Sequence, residues 1–218
     1  MDFEYLACAP LFRGMSPEEG ERILGCLQAE KKRFEKGTYI LREGDTVRAV
    51  GLVCSGAVNI ERDDFWGNRA ILEHAGEGQI FAETYACIPG EPLTVNVVAA
   101  MESEILFLDV QRMLTACGNA CAFHNKLIRN LLTLTAEKNL RLSSRMAHIA
   151  PKSIRGRVMA YLSELSVRQG GQTVTVPFDR QQMTDYLGVE RSALSGELSR
   201  MRKEGILDVR KNVFRILG

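Results

Sequence analysis

The sequence predicts an α+β chain in three successive parts, and three observations carry that prediction. From about Arg33 to Leu108 the residues fall into short apolar runs punctuated by glycine and turn pairs. From Ala120 to Ile149 about thirty residues pass without glycine or proline, with apolar positions spaced by three and four. From Pro151 to Gly218 the chain is short and basic, and its centre reads as two helices around a glycine turn.

In the first part the predicted strands are Thr38 to Leu41, Gly51 to Cys54, Ala57 to Ile60, Ala70 to Glu73, Val95 to Ala99 and Ile105 to Leu108. Turn signals at Glu43-Gly44-Asp45, Ser55-Gly56 and Pro89-Gly90 separate them, which points to an all-β sandwich or barrel. Ahead of them, Ser16-Pro17-Glu18-Glu19 is a helix start: serine as N-cap, proline at the first helical position, glutamate at the third. In the second part Phe123, Leu127, Leu131, Leu134, Thr135, Lys138 and Leu142 run down one side, with Ile128, Leu132 and Met146 widening the stripe. Such a helix either packs wholly inside its own chain or supplies a coiled-coil-like seam between two copies; the expectation is the seam.

With 218 residues, 45% hydrophobic and 25% charged, the composition is that of a folded globular protein. No uncharged apolar stretch is long enough to span a bilayer, and the acidic start MDFEYL is unlike a signal peptide, so a cytoplasmic location is expected. Six scattered cysteines, Cys8, Cys26, Cys54, Cys87, Cys117 and Cys121, are then expected mostly as free thiols. The net charge of +1 conceals an asymmetry. Residues 151–218 hold 12 Lys and Arg against 7 Asp and Glu, a balance of +5, and residues 1–150 carry −4. A basic module on an acidic body is the charge footprint of a nucleic-acid reader.

Asp179 to Arg202 supplies the recognition motif. Met183, Leu187, Val189, Leu194, Leu198 and Met201 form the shared core of two helices, and Gly188 is the turn that takes a positive φ. This is helix-turn-helix spacing, whose second helix enters the DNA major groove. Thr173 to Pro177, Leu207 to Val209 and Val213 to Ile216 read as flanking strands of a wing with a basic turn, Arg210-Lys211-Asn212.

Taken together, the chain resembles the Crp/Fnr family of bacterial transcription regulators along nearly all its length. Glu43-Gly44-Asp45 and Leu52 to Val58 are similar to that family's β-roll, Gly78-Gln79-Ile80-Phe81-Ala82-Glu83 resembles its effector-binding segment, and Asp179 to Leu207 resembles its helix-turn-helix. The resemblance implies a cyclic-nucleotide-binding-like β-roll (a double-stranded jelly roll) in residues 1–118, a dimerisation helix in 119–150 and a winged helix-turn-helix in 151–218. It implies a homodimer on near-palindromic double-stranded DNA, RNA polymerase as a further partner, and no enzymatic activity.

By that resemblance Arg191, Ser192 and Ser195 read bases, the arginine bidentate to guanine. Arg180, Gln181, Ser199, Arg200, Arg202, Lys203 and Lys211 fall to phosphates. Gly196 stands where relatives often carry a second base-reading arginine, so their usual half-sites are not carried over. The effector pocket falls on Glu83, Leu93, Thr94 and Thr135, and the dimer helix on Phe123, Leu127, Leu131, Leu134 and Leu142. Cyclic-AMP-binding relatives hold the phosphate with an arginine where this chain has Leu93, with Glu91 close by. Losing that cation forfeits charge-assisted hydrogen bonds of about 1.5–3 kcal/mol each, which argues against cyclic AMP.

An N-terminal iron–sulfur cluster of the oxygen-sensing type is not expected, because only Cys8 and Cys26 lie at that end. Haem through His74 or His124 stays open. Cys117, Cys121 and His124 share a helical spacing and form an alternative metal- or thiol-based sensor. A cupin-like metalloenzyme is the remote alternative, with only His74 of the three histidines inside the roll and no paired-histidine motif.

Overall fold

The computed structural model describes residues 6, 8–63, 66, 69–114 and 122–217. They form two compact units, Met1–Glu137 and Lys138–Gly218. Among the described residues no helix is long and apolar enough to cross a membrane.

The first unit begins with a 3-10 turn, Pro10–Phe12, and helix α1, Pro17–Cys26. The capping box forms as the sequence predicts: Ser16 Oγ accepts from the Glu19 amide and the Glu19 carboxylate accepts from the Ser16 amide. Eight strands follow, β1 (Glu30–Phe34), β2 (Tyr39–Leu41), β3 (Ala49–Ser55), β4 (Ala57–Asp63), β5 (Arg69–Gly76), β6 (Ile80–Phe81), β7 (Asn96–Ala99) and β8 (Ser103–Asp109). Helices α2, Glu83–Cys87, and α3, Val110–Leu114, punctuate them, and α4, Ala122–Ile149, is the long helix. The strands make two antiparallel sheets, ordered β1-β8-β3-β6 and β2-β7-β4-β5.

Strand β3 explains why the core is layered. Its run Val50-Gly51-Leu52-Val53-Cys54 is buried throughout, because both faces of its sheet are covered. Val53 joins Val58, Ala75, Phe81, Val97 and Ile105 between the sheets. On the other side Val50, Leu52 and Cys54 join Leu106, Leu108, Ile23, Leu127 and Leu131 under the helices. Gly51 is required by packing: a Cβ there would fall inside the Phe81 ring. Gly51→Ala is therefore expected to lower unfolding free energy by about 1–3 kcal/mol, readable as a lower denaturant midpoint with unchanged m; an unshifted midpoint would refute this close approach.

Strand β1 is absent from the sequence reading because Glu30-Lys31-Lys32-Arg33 lacks alternation; it is an edge strand whose charges discourage further pairing. Its register sets Lys31 and Arg33 beside Glu104 of β8. The hydrogen bond from Lys31, helped by Arg33, holds the Glu104 carboxyl below the usual carboxylate range. Its folded pKa thus lies under the unfolded one. The contribution is full above about pH 4.5 and fades as pH falls through the lowered value. Acid unfolding of Glu104→Gln should accordingly show a shallower slope below pH 4.5 than the wild type, and parallel slopes would contradict it.

The long helix carries two apolar stripes, one covered within the chain and one largely exposed. Leu127 and Leu131 are buried in the chain's own core, with Phe123 and Leu134 packed against it. Lys126 is ion-paired to Glu19 at 2.7 Å, and Asn130 donates to the carbonyls of Leu11 and Arg13, both at 2.9 Å. Of the five residues expected at a seam, Leu142 is exposed, and the other four are buried in or packed against this core. Ile128 packs half-buried on the same core, and below it the other face alternates by three and four through Leu132, Thr135, Asn139, Leu142, Met146 and Ile149. There Leu132, Leu142 and Met146 are 68%, 62% and 68% exposed.

The second unit contains the last turns of α4, then α5 (Ile154–Gln169), β9 (Thr173–Thr175), α6 (Arg180–Leu187), α7 (Arg191–Lys203), β10 (Leu207–Arg210) and β11 (Val213–Ile216). Its sheet is ordered β10-β11-β9. Met183, Leu187, Leu194, Leu198 and Met201 are buried with Val174, Leu207 and Phe214, and Val189 packs on them half-buried. Helix α5 does not figure in the sequence reading, though its ends are well marked by Ser153 as N-cap and Gly170 in the left-handed region. It supplies Val158, Tyr161 and Leu162 to the core.

Candidate nucleic-acid interface

Local capping builds the helix pair. The Asp179 carboxylate accepts from the Gln182 amide at 2.8 Å and the Gln182 side chain returns the bond at 2.9 Å, which starts α6. Gly188, at φ +61, ends it. Glu190 then caps α7, accepting from the Ser192 amide at 3.1 Å, the Ala193 amide at 2.9 Å and the Ser192 hydroxyl. The Ser192 hydroxyl above all holds the Glu190 carboxyl below the carboxylate range.

Arg191 is exposed at the first position of α7, with no acidic partner among the described residues. Ser195 lies one turn on, also exposed, and Ser199 follows, its hydroxyl turned back to the Ser195 carbonyl at 2.9 Å. Ser192 is placed beside Arg191, its hydroxyl donating to Glu190 and keeping its acceptor lone pairs for a base. A groove of about 250 Å³ is lined by Arg180, Ser195, Leu198, Ser199, Arg202, Val209 and Lys211. Five residues assigned to DNA from the sequence thus meet at one surface. Arg180 and Lys211 also line a neighbouring cavity of about 530 Å³ together with Phe178, Met183 and Phe214.

Arg180 lies over the Phe214 ring, 5.8 Å from its centroid, and burial lowers its pKa. It is a cation drawn partly out of water that makes no ion pair among the described residues, a state that an incoming oxyanion relieves. Lys211 sits at the wing turn with φ +56. Arg202 is paired to Asp208 at 3.1 Å yet keeps its place in the groove. Arg200 pairs with Glu197 at 3.4 Å and Gln181 donates to Asp185 at 3.0 Å; neither lines the groove, and both are tied within the fold. Lys203, Arg210 and Arg215 are exposed without an acidic partner among the described residues.

A Cβ at Gly196 would meet nothing within 4 Å. Its place in a helix interior costs about 0.5–1 kcal/mol relative to alanine. Gly196→Ala should therefore raise the melting temperature of the second unit, and a fall would show that the space is not open.

On the sensor side, Glu83 is buried at the start of α2, directly after Ala82 at φ +60. Leu93 is buried, and the Thr94 hydroxyl is bonded to the Tyr85 hydroxyl at 2.6 Å. The Thr135 hydroxyl donates to the Leu131 carbonyl at 2.9 Å. His124 is buried beside Phe123, and His74 on β5 is 2.8 Å from the Asn59 side-chain oxygen. Cys117 and Cys121 lie outside the described residues, and among those described no three His, Cys, Asp or Glu are grouped to hold a metal ion.

The cyclic nucleotide-binding domain model matches residues 31–119, and the Crp-like helix-turn-helix domain model matches 156–217. The chain is a Crp/Fnr-family transcription regulator. It is 28% identical over 214 residues to the probable transcriptional regulator flp of Lacticaseibacillus casei, covering 97% of this chain and 93% of that one. To the cyclic AMP receptor protein of Thermus thermophilus it is 27% identical, covering 91% and 88%. The crystal structure of the Thermus thermophilus catabolite activator protein superposes with a TM-score of 0.51 at 25% identity, covering 95% and 93%. CprK complexed with OCPA has the same fold, with a TM-score of 0.60 at 19% identity, covering 91% and 90%.

This Crp/Fnr regulator accordingly pairs a ligand-binding β-roll with a DNA-binding helix-turn-helix, and its relatives are regulators rather than enzymes. Two functional features of the regulator escaped sequence reasoning. Glu190 carries no reading from the sequence, because glutamate is not among the favoured N-cap residues, yet its carboxylate caps α7. Arg155 of α5 bonds Glu197 and Glu204 of the recognition-helix region, both at 2.7 Å, and with α5 unread it had no context.

Proposed function

We propose that the protein acts in the cytoplasm as a homodimer that reads a near-palindromic DNA site and passes the outcome to RNA polymerase. The carrying observation is the shared groove of Arg180, Ser195, Ser199, Arg202 and Lys211, with exposed Arg191 one turn before Ser195 on α7. In this reading Arg191, Ser192 and Ser195 touch bases, and Arg180, Ser199, Arg202 and Lys211 touch phosphates. The exposed 4-3 stripe of α4 supports the dimer. Two recognition helices about 34 Å apart then meet successive major grooves.

The β-roll receives a small-molecule or redox signal at Glu83, Leu93, Thr94 and Thr135. Buried Leu93 supports a ligand other than cyclic AMP, since an apolar side chain offers a cyclic phosphate no counter-charge. The signal shifts the DNA-competent population only by its differential affinity for that state. Selection from a randomised duplex pool with the full chain tests the reading. A two-fold-symmetric consensus whose binding is unmoved by cyclic AMP is expected; no enrichment, or a cyclic-AMP-dependent one, overturns it.

A further inference from the structure

We infer that Arg145, seconded by His148, is the positioning residue through which the last turns of α4 steer the helix-turn-helix. The inference rests on the DNA-recognition reading above. It starts from the C-terminal end of α6, where a helix leaves carbonyls without internal partners. Gly188 and Val189 amides return to the Thr184 carbonyl, so the next four, those of Asp185, Tyr186, Leu187 and Gly188, need outside donors.

Two guanidiniums take all four. Arg145 donates to the Asp185 carbonyl at 3.0 Å and the Tyr186 carbonyl at 3.1 Å. Arg157 of α5 donates to the Leu187 carbonyl at 3.0 Å and the Gly188 carbonyl at 2.9 Å, and also to Pro151 at 3.0 Å. Cations there also complement the negative end of the α6 dipole.

Tyr186 is held a second time from α4. The Arg145 guanidinium lies over its ring at 5.6 Å, and its hydroxyl is 3.0 Å from His148 Nδ1. His148 is buried, with Nε2 2.9 Å from the Glu164 carboxylate and its ring edge-on to Tyr161. Arg145 and His148 are three residues apart and so share one helix face. That face grips the carbonyls of Asp185 and Tyr186 and, in addition, the Tyr186 side chain. Arg191 begins α7 only five residues later. A turn or slide of the end of α4 is thereby delivered to the start of the recognition helix without either residue touching DNA.

The test uses full chains bearing Arg145→Gln, Arg145→Lys and Tyr186→Phe. Each is read by amide hydrogen exchange over residues 185–191 and by affinity for a duplex selected by the wild type against a scrambled duplex. Arg145→Gln should speed exchange there by about tenfold and cut the selected-to-scrambled ratio by about tenfold, as the removal of charge-assisted bonds predicts. Scrambled-duplex affinity should hold, Arg145→Lys should recover part of both readouts, and Tyr186→Phe should show a smaller change of the same sign. Unchanged exchange, an unchanged ratio, or equal weakening on both duplexes overturns the inference. A wild-type chain that enriches no duplex defeats the DNA reading instead, and the exchange arm still decides whether the clamp exists.

Discussion

A chain carrying Leu142→Glu and Met146→Glu is expected to sediment as a monomer and to bind a duplex with two half-sites roughly 100- to 10,000-fold more weakly than the wild type. Both side chains are exposed, at 62% and 68%, so the substitutions disturb no packing of the fold and the melting profile of each unit should hold. In a seam, however, they set carboxylates of one copy against those of the other in a poorly hydrated stripe. Loss of the dimer converts binding of the second half-site from an intramolecular event to a bimolecular one, which is the source of the large factor. Affinity for a single half-site should stay within about threefold, because no residue assigned to DNA is altered. A double variant that remains dimeric would place the interface elsewhere.

Arg191→Ala should cost roughly 5- to 150-fold on the selected duplex, the equivalent of about 1–3 kcal/mol for a bidentate arginine–base pair. The scrambled duplex should respond far less. Lys211→Ala makes the contrast: taking a phosphate's counter-charge away from the wing turn weakens both duplexes alike and lowers the salt slope by about one. Competition titrations at several salt concentrations separate the two patterns. Arg191→Ala weakening both duplexes equally would move Arg191 from the bases to the backbone.

The recognition helices were legible because their signals are local: Gly188 turns the chain and the apolar residues recur at helical spacing. The strands at Gly51 to Cys54 and Ile105 to Leu108 were legible because their apolar runs have the right length. What escaped depends on neighbours far along the chain. Charged β1 is a strand because β8 offers it an edge, and α5 is fixed by partners dispersed over α7 and the wing. The two stripes of α4 look alike in sequence. Which one is covered is decided by Leu11, Ile23 and Leu106, more than a dozen residues away. On the sensor side Glu83 and Leu93 could be placed by motif, whereas the bond between Tyr85 and Thr94 and the backbone bond of Thr135 could not.

Glu190 has a consequence for how fast such a regulator finds its target. Its carboxylate is fixed at the leading tip of α7 by cap bonds that favour the anion. If α7 enters the major groove as proposed above, that negative charge opposes the phosphates of every duplex alike. A selected site would offset it through Arg191 and Ser195, whereas an arbitrary duplex would not, so the residue that starts the helix would also shorten stays at the far more numerous wrong addresses.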